Sequence, residues 1–406
     1  MSTAADGRRR RTVASRTAIL EAAERLFGES GFTSTSLRGI AAAIGMSHAG
    51  VMRHFASKGD LLLAVLQKLE PGSDVFALMA APALPRDELL RLLLEHTANQ
   101  KAALNLRMVL LGEATDATHP AHGFVRDRLE LVEFELGLTM GTDGVDLLAV
   151  WNGLQLIHRY VPSIDPVTIG MRHADAAAPP AGAPAATIIA PLKHGAAATP
   201  VTRRAQIVAA ATRAFSRAGY RSTSLRDIAS ELGLSHTALL YHFPSKESLL
   251  EAVLDERDRD ESLPWSIGDG PLDYLNGMYL QALHNVTEPG LSRLYSTLAS
   301  EATDTRHPAH DYFAQRYLRF HAALARVLVV LGEQGLARDD LDAEGEAWAL
   351  IALWDGLALR GFYSADGRGL PERVRSRINS LLRVHISSTD ITVDQDRARR
   401  PDRVVT

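Results

Sequence analysis

Apolar residues recur along this chain at helical spacing, and they do so twice. Ile19, Ala22, Ala23, Leu26 and Phe27 fall at i, i+3, i+4, i+7 and i+8, the one-sided stripe of an amphipathic helix. Ile207, Ala210, Ala211, Ala214 and Phe215 repeat the stripe. Gly31 and Gly219 then predict a helix end, where a residue of positive φ is favoured. The hydroxyl runs "TSTS" and "RSTS" follow and can cap the free amides of a new helix. The next stripe is short: Leu37, Ile40, Ala41 and Ile44, or Leu225, Ile228, Ala229 and Leu232. "GMS" and "GLS" predict a tight turn, and another short helix begins at once with Val51 and Phe55 inward, or Leu239 and Phe243. A further helix starts after Ser57 and Ser245, with Leu61, Leu62 and Val65 inward in the first copy. Two short helices joined by a glycine-containing turn are a helix-turn-helix. A small three-helix core fixes the second short helix, whose outer face is then free to lie in a major groove.

The two patterns belong to one duplication. Ile19 is matched by Ile207, 188 residues on, and the same offset pairs Phe27 with Phe215, Gly45 with Gly233 and Lys58 with Lys246. It still holds where "EATDATHPAH" (Glu113 to His122) faces "EATDTRHPAH" (Glu301 to His310). Later, "WNGLQL" from Trp151 resembles "WDGLAL" from Trp354, so the second copy carries an insertion before that point. A unit of this length is too long for a solenoid repeat. Residues 171–200, rich in alanine, proline and glycine, read as an inter-domain linker within which "TIIAPL" is a candidate for docking on a domain. The expected organisation is a basic disordered arm over 1–12, a helix-turn-helix domain over 13–73 and a helical regulatory domain over 74–170. After the linker, the second pair occupies 201–261 and 262–388, and 389–406 is a disordered polar tail.

Composition narrows the function. The 406 residues are 46% hydrophobic and contain no cysteine, which excludes disulfides and thiolate metal sites and fits a reducing cytoplasm. No apolar run reaches the roughly 20 residues of a membrane helix, and the N-terminus lacks the apolar stretch of a secretory signal. The net charge of −4 hides a local asymmetry. Between Arg8 and Leu66, Arg8 to Arg11, Arg16, Arg25, Arg38, Arg53 and Lys58 face only Glu21, Glu24, Glu29 and Asp60. Residues 201–254 are again net basic, so the rest of the chain is acidic. Basic heads on acidic bodies are the electrostatic footprint of a double-stranded DNA binder.

Both copies resemble the DNA-binding domain of the TetR family of bacterial transcriptional regulators. The residues that carry the likeness are Phe27, Gly31, Ser36, Ile40, Ala41, Gly45, Ser47, His54, Phe55 and Lys58. Their counterparts are Phe215, Gly219, Ser224, Ile228, Ala229, Gly233, Ser235, Tyr241, His242, Phe243 and Lys246. The first copy departs from the family pattern at Met52, Arg53 and Gly59 and places Gly50 inside the recognition helix. The resemblance implies an all-α chain of two tandem units. Each has an N-terminal three-helix helix-turn-helix domain followed by a helical ligand-binding and dimerisation domain. The implied function is a ligand-responsive repressor with an unknown small-molecule effector and no cofactor.

Within the motif, Lys58 and Lys246 are expected on phosphates, as is Tyr241. His54 and His242 either join them or pack against the core. Candidates for base edges are Ser36, Arg38, His48, Ala49, Gly50 and Arg53, and Ser224, Arg226, His236, Thr237, Ala238 and Tyr241. Ser47, Met52, Ser235 and Leu240 complete the two expected DNA-facing sets. Arginine on guanine is the commonest specific contact, which favours Arg38, Arg53 and Arg226. In the "EATD" segments, Glu113, Asp116, His119 and His122, with Glu301, Asp304, His307 and His310, are either metal ligands or turn caps, and capping is the expected role. Trp151, Trp348, Trp354, Tyr274, Tyr279 and Tyr295 line a ligand pocket or fill a core. Phosphate loops, nucleophile elbows and recognisable catalytic carboxylate pairs do not occur. The other classes weighed are an enzyme or metal protein scaffolded by these units, and an architectural DNA binder without sequence preference. A 30-residue linker holds the two units at roughly millimolar mutual concentration, so either an intramolecular pseudo-dimer or a whole-chain homodimer is expected.

Overall fold

The computed structural model describes residues 2–69, 84–141, 143–175, 185–186, 202–220, 223–258, 270–287, 289–364 and 369–386. Nearly all of them are helical. The first unit comprises α1 (Ser2–Ser34), α2 (Leu37–Ala43), α3 (His48–Met52), α4 (Lys58–Leu69), α5 (Arg86–Asn99), α6 (Lys101–Glu113), α7 (His122–Met140), α8 (Gly144–His158) and α9 (Pro166–Asp175). The second comprises α10 (Arg203–Ala218), α11 (Leu225–Glu231), α12 (His236–His242), α13 (Lys246–Asp258), α14 (Pro271–Thr287), α15 (Pro289–Glu301), α16 (His310–Glu333), α17 (Ala343–Gly361) and α18 (Gly369–Leu381). The apolar stripes read from the sequence face inward. Ile19, Ala23, Phe27, Ile40, Val51, Phe55, Leu61, Leu62 and Val65 are buried, and so are their counterparts in the second head.

Two expected boundaries need correction. The basic arm over 1–12 continues α1 as helix from Ser2, in keeping with the high helix propensity of alanine and arginine. The linker does not start at Met171, because Met171 to Asp175 complete α9 and Met171 is buried. Within the linker, β1 (Ala185–Ala186) pairs in parallel with β2 (His385–Ile386), which ties it to the end of the second unit. "TIIAPL" and the tail over 389–406 lie outside the described residues. The insertion in the second copy is spread over three places: a longer α16, a longer loop after it and a longer start to α17.

The two units share one core. A continuous apolar cluster runs from Ile19 through Leu106, Val150 and Leu154 to Leu294, Leu328, Leu350 and Leu353. Its centre is the crossing of α8 with α17. A Cβ placed on Gly153 would lie 2.0 Å from the carbonyl oxygen of Ala352, and one on Gly356 would lie 1.9 Å from that of Ala149. Ala352 and Gly356 follow Ala149 and Gly153 by the same 203 residues, so each helix offers the other an identical small-residue pair. That reciprocity is the signature of an isologous two-fold contact, here within one chain.

The relation extends along α6 and α15. Gly112 faces Ser300, its own counterpart 188 residues on, so this pair sits on the pseudo-two-fold axis. Tyr160 Oη donates to the carbonyl of Ala299, and Tyr363 Oη donates to that of Leu111 at 2.7 Å. Each tyrosine packs on a histidine of the other unit, Tyr160 on His310 at 5.2 Å and Tyr363 on His122 at 5.3 Å. Polar contacts without a symmetric mate then bias the pairing. Arg360 binds Glu133 through two hydrogen bonds of 2.6 and 2.9 Å, and Arg373 bridges Asp143 and Asp146.

Gly153→Val drives a side chain into the Ala352 carbonyl and should cost about 2–3 kcal/mol of stability, read from urea unfolding. Small-angle scattering of the same variant should show a larger particle as the units part. Gly123→Ala, where an added Cβ meets nothing within 4 Å, should leave both measurements unchanged.

Candidate nucleic-acid interface

Each head is assembled by its caps. Ser36 Oγ accepts from the Gly39 amide at 3.0 Å, and Ser47 Oγ from the Gly50 amide at 3.1 Å. Ser224 and Ser235 do the same for Asp227 and Ala238, and Asp227 completes a capping box by accepting from the Ser224 amide. These four serines, expected on DNA, therefore start helices α2, α3, α11 and α12. Gly45 and Gly233 turn the chain between them with φ of 65° and 63°. Val51 and Leu239 anchor α3 and α12 to the core, and the opposite faces of both helices meet solvent.

The remaining expected contact residues separate by exposure. Arg38, His48, Ala49, Met52 and Arg53 are exposed in the first head, and Arg226, Thr237 and Tyr241 in the second. Tyr241 stands 86% exposed on the outer face of α12, an unusual position for an aromatic ring that serves only packing. Arg38, Arg53 and Arg226 form no ion pair with any described residue, so their guanidinium groups stay available to a ligand. His54, His236, Ala238, Leu240 and His242 are half-buried. Gly50 departs from the expectation: it is buried against Met46, and a residue without a side chain at that site has nothing to offer a base edge.

Lys58 also departs from it. Lys58 Nζ donates to three backbone carbonyls, Phe32 at 2.8 Å, Thr33 at 3.3 Å and Thr35 at 2.9 Å. An ammonium has three protons, and all three are used within the fold. The same group lies 4.2 Å from the centre of the Phe32 ring, and Lys246 lies 4.3 Å from that of Tyr220. Burial pulls both lysine pKa values down, with Glu113 and Glu301 respectively pulling back. Lys58 thus clamps the turn between α1 and α2, and its fit to a phosphate is poor.

Beneath each clamp sits the joint between head and body. Gly31 and Gly219 have φ of 80° and 79°, and a Cβ there would strike the carboxylate of Glu113 or Glu301 at 2.2 or 2.6 Å. Glu113 Oε2 accepts from the Phe32 amide at 2.7 Å, so the last residue of α6 holds the base of the first head. Reading the sequence alone left these glutamates among metal ligands or caps. Their repetition opposite two repeated glycines was the available signal. The rest of the "EATD" segment caps its own turn: His119 Nδ1 accepts from the Ala121 amide, and His122 Nδ1 donates to the Ala114 carbonyl at 2.8 Å. His307 and His310 repeat both bonds. Among the described residues, no group of three or more acidic or histidine side chains could hold a metal ion, and no helix is long and apolar enough to cross a membrane.

Behind the first head, a cavity of about 170 Å³ opens between the end of α4 and helices α5 to α8. Leu66 and Leu69 form its head-side wall, and Trp151 closes the opposite one. Trp151 therefore takes the pocket role, whereas Trp348 stacks on His321 at 3.9 Å and Tyr274 is buried in the shared core.

Two such heads on one helical body define a helix-turn-helix regulator, and known proteins bear this out. The pattern of bacterial regulatory proteins of the tetR family matches residues 19–65 and again 207–253, and that of the BetI-type transcriptional repressor C-terminal domain matches 276–387. The HTH-type transcriptional regulator TtgR of Pseudomonas putida is 30% identical over 187 residues, 44% of this chain and 89% of that protein. The HTH-type transcriptional repressor KstR2 of Mycolicibacterium smegmatis is 34% identical over 110 residues, 27% of this chain and 46% of that protein. A solved regulator from Saccharomonospora viridis in complex with choline is 25% identical, covering 44% of this chain and 97% of that one, with a TM-score of 0.38. The chain belongs to the TetR family of transcriptional regulators and carries its DNA-binding module twice.

Two measurements test the site chemistry. Lys58→Ala should lower stability by about 1–2 kcal/mol while leaving the salt slope of DNA binding unchanged; a slope reduced by about one unit would restore a phosphate contact. His119 is the second test, since burial lowers its pKa to about 4. An unfolded imidazole titrates near 6.5, so between roughly pH 6.5 and 4 the unfolded chain binds more protons and stability falls as pH falls. His119→Asn keeps an acceptor for the Ala121 amide and should flatten that part of a pH series of melting temperatures.

Proposed function

We propose that a single chain of this protein acts as an intramolecular pseudo-dimeric repressor that reads a non-palindromic operator and is released by a small-molecule effector. The observation that carries this reading is the reciprocal packing of α8 on α17. It supplies, inside one chain, the two-fold relation that two identical subunits supply in a homodimer. Two heads related in this way suit half-sites one helical turn apart, about 34–36 Å. Their outer faces differ, "HAGVMR" against "HTALLY", so the half-sites should differ as well. Arg38 and Arg53 read the first half, and Arg226 with Tyr241 the second.

Release follows from where the cavity lies. Leu66 and Leu69 belong to α4, whose Leu61 and Leu62 sit in the core of the first head. Glu113, at the end of cavity-lining α6, grips the same head at Phe32. A ligand filling the cavity acts on both connections at once and changes the position of α3 relative to α12. Such a ligand shifts the equilibrium only by the difference in its affinity for the two arrangements.

Site selection from random DNA, with sedimentation of the resulting complex, tests the reading directly. One chain per site and two unlike half-sites are expected. Arg226→Ala should cost about 1–3 kcal/mol and relax preference in one half-site only, and Arg38→Ala in the other. A perfect palindrome as the best site, or two chains bound to it, would overturn the single-chain reading.

A further inference from the structure

The first helix of each head carries a matched arginine outside the contact set described above. Arg16 lies in α1, and Arg204, 188 residues on, lies in the first turn of α10. Both are exposed, and neither forms an ion pair with a described residue. Each nevertheless has a fixed seat. The guanidinium carbon of Arg16 lies 5.1 Å from the centre of the Phe55 ring, and that of Arg204 lies 4.3 Å from the centre of the Phe243 ring. Those phenylalanines are buried, and they close the two recognition helices: the Phe55 amide donates to the Val51 carbonyl at 3.1 Å, and the Phe243 amide to that of Leu239 at 2.9 Å. Arg204 Nη1 also reaches the His242 carbonyl at 3.5 Å. A cation thus stands at the C-terminal end of α3 and of α12, just beyond Arg53 and Tyr241. A guanidinium rests on a ring by its flat face and keeps the N–H donors of its edge for another partner.

Around this pair the two copies have changed. Along the same helix, exposed Thr17, Glu21 and Glu29 stand opposite Ala205, Ala209 and Arg217. The other arginines that match, Arg25 and Arg213, are tied to Glu29 at 3.3 Å and Glu231 at 3.0 Å. The recognition helices differ as well, Gly50 against Ala238 and Arg53 against Tyr241. A ligand shared by two heads with unlike reading faces is a group that every stretch of duplex offers. The phosphodiester is that group, and its two free oxygens suit the forked edge of a guanidinium.

We propose that Arg16 and Arg204 are phosphate-binding residues, one in each head, and that they supply a sequence-independent hold that Lys58 does not provide. Each is seated on the phenylalanine that closes its recognition helix. The ring holds the guanidinium in place before DNA arrives, so little side-chain freedom is lost on binding. The same seat fixes the position of α3 or α12 relative to the strand that is gripped. This role needs only double-stranded DNA, and neither the single-chain grip nor an effector.

Fluorescence anisotropy of the full chain on a random-sequence duplex, over a salt series, tests it. Arg16→Gln and Arg204→Gln should each flatten the plot of log affinity against log salt by about 0.9, the share of one phosphate, and the two together by about twice that. Arg16→Met and Arg204→Met, which keep the ring covered but remove the charge, should do the same. Arg16→Lys and Arg204→Lys keep the charge and should retain the slope. Arg25→Gln removes an equal charge further along α1 and should leave the slope as it was. Thermal melting of each variant separates folding from binding. Neutral variants that melt earlier with an unchanged slope would overturn the proposal, because the arginines would then only shield the rings. An equal loss of slope in Arg25→Gln would overturn it too, since net charge alone would account for the effect. So would a relaxed preference at a single base pair in site selection with Arg204→Gln, the mark of a base contact.

Discussion

Everything in this molecule hangs on two backbones meeting at Gly153 and Gly356. A side chain at either position would fall within 2.0 Å of a carbonyl oxygen in the facing helix. The absence of side chains there lets α8 and α17 approach closely enough for Tyr160 and Tyr363 to reach across to main-chain acceptors. It also merges two apolar cores into one. Small residues give this contact little area of their own. The gain lies in the larger residues brought together around them, Val150, Leu154, Leu353 and Leu357, which leave water together. The ion pairs of Arg360 and Arg373 lie on this frame and fix which way round it assembles.

The heads depend on a second, smaller constraint. Each is joined to its body by α4 or α13 and by a carboxylate seated where a glycine leaves space. At Gly31 the positive φ and the missing Cβ serve one end, since Glu113 must reach the Phe32 amide. Lys58 then closes the turn from above through three carbonyls. Burial disfavours its charge and the nearby Glu113 favours it, while Arg38 and Arg53 stand exposed on the same head. The distinction is chemical. A lysine ammonium can be consumed by three acceptors within a turn, whereas Arg38, Arg53 and Arg226 are exposed and form no ion pair with a described residue.

The heads were legible in the sequence because their logic is local. Stripes at helical spacing, serines before helices and glycines in turns act within a few residues, and the structure places Ile19, Ser36, Gly45 and Val51 as that logic expects. The duplication was legible for the same reason. What tertiary contact decides was not. An alanine and a glycine four apart at 149 and 153 are unremarkable in an alanine-rich chain until the facing helix is known. Lys58 sits at a helix start, and the same position can send its side chain toward phosphate or back into the turn. Arg107 breaks an apolar run without signalling what surrounds it. Composition misled at Met171 to Asp175, where alanine and charge beside a proline-rich stretch looked like linker but extended a packed helix.

Duplication within one chain removes a constraint that a homodimer cannot escape. In a symmetric dimer every substitution appears twice, at both heads and in both cavities, and a change that suits one half-site acts on the other as well. Here Ala149, Gly153 and Tyr160 still correspond to Ala352, Gly356 and Tyr363 at the central crossing, while the contact of Glu133 with Arg360 has no counterpart. Positions with no partner across the axis were free to diverge. One recognition helix keeps Gly50 and ends at Met52, while the other runs on to His242 and displays Tyr241. One body keeps a cavity lined by Arg107 and Arg128, while the other carries Tyr295, bonded to Tyr312, and Tyr317, bonded to Asp355, at positions matching Arg107 and Leu129.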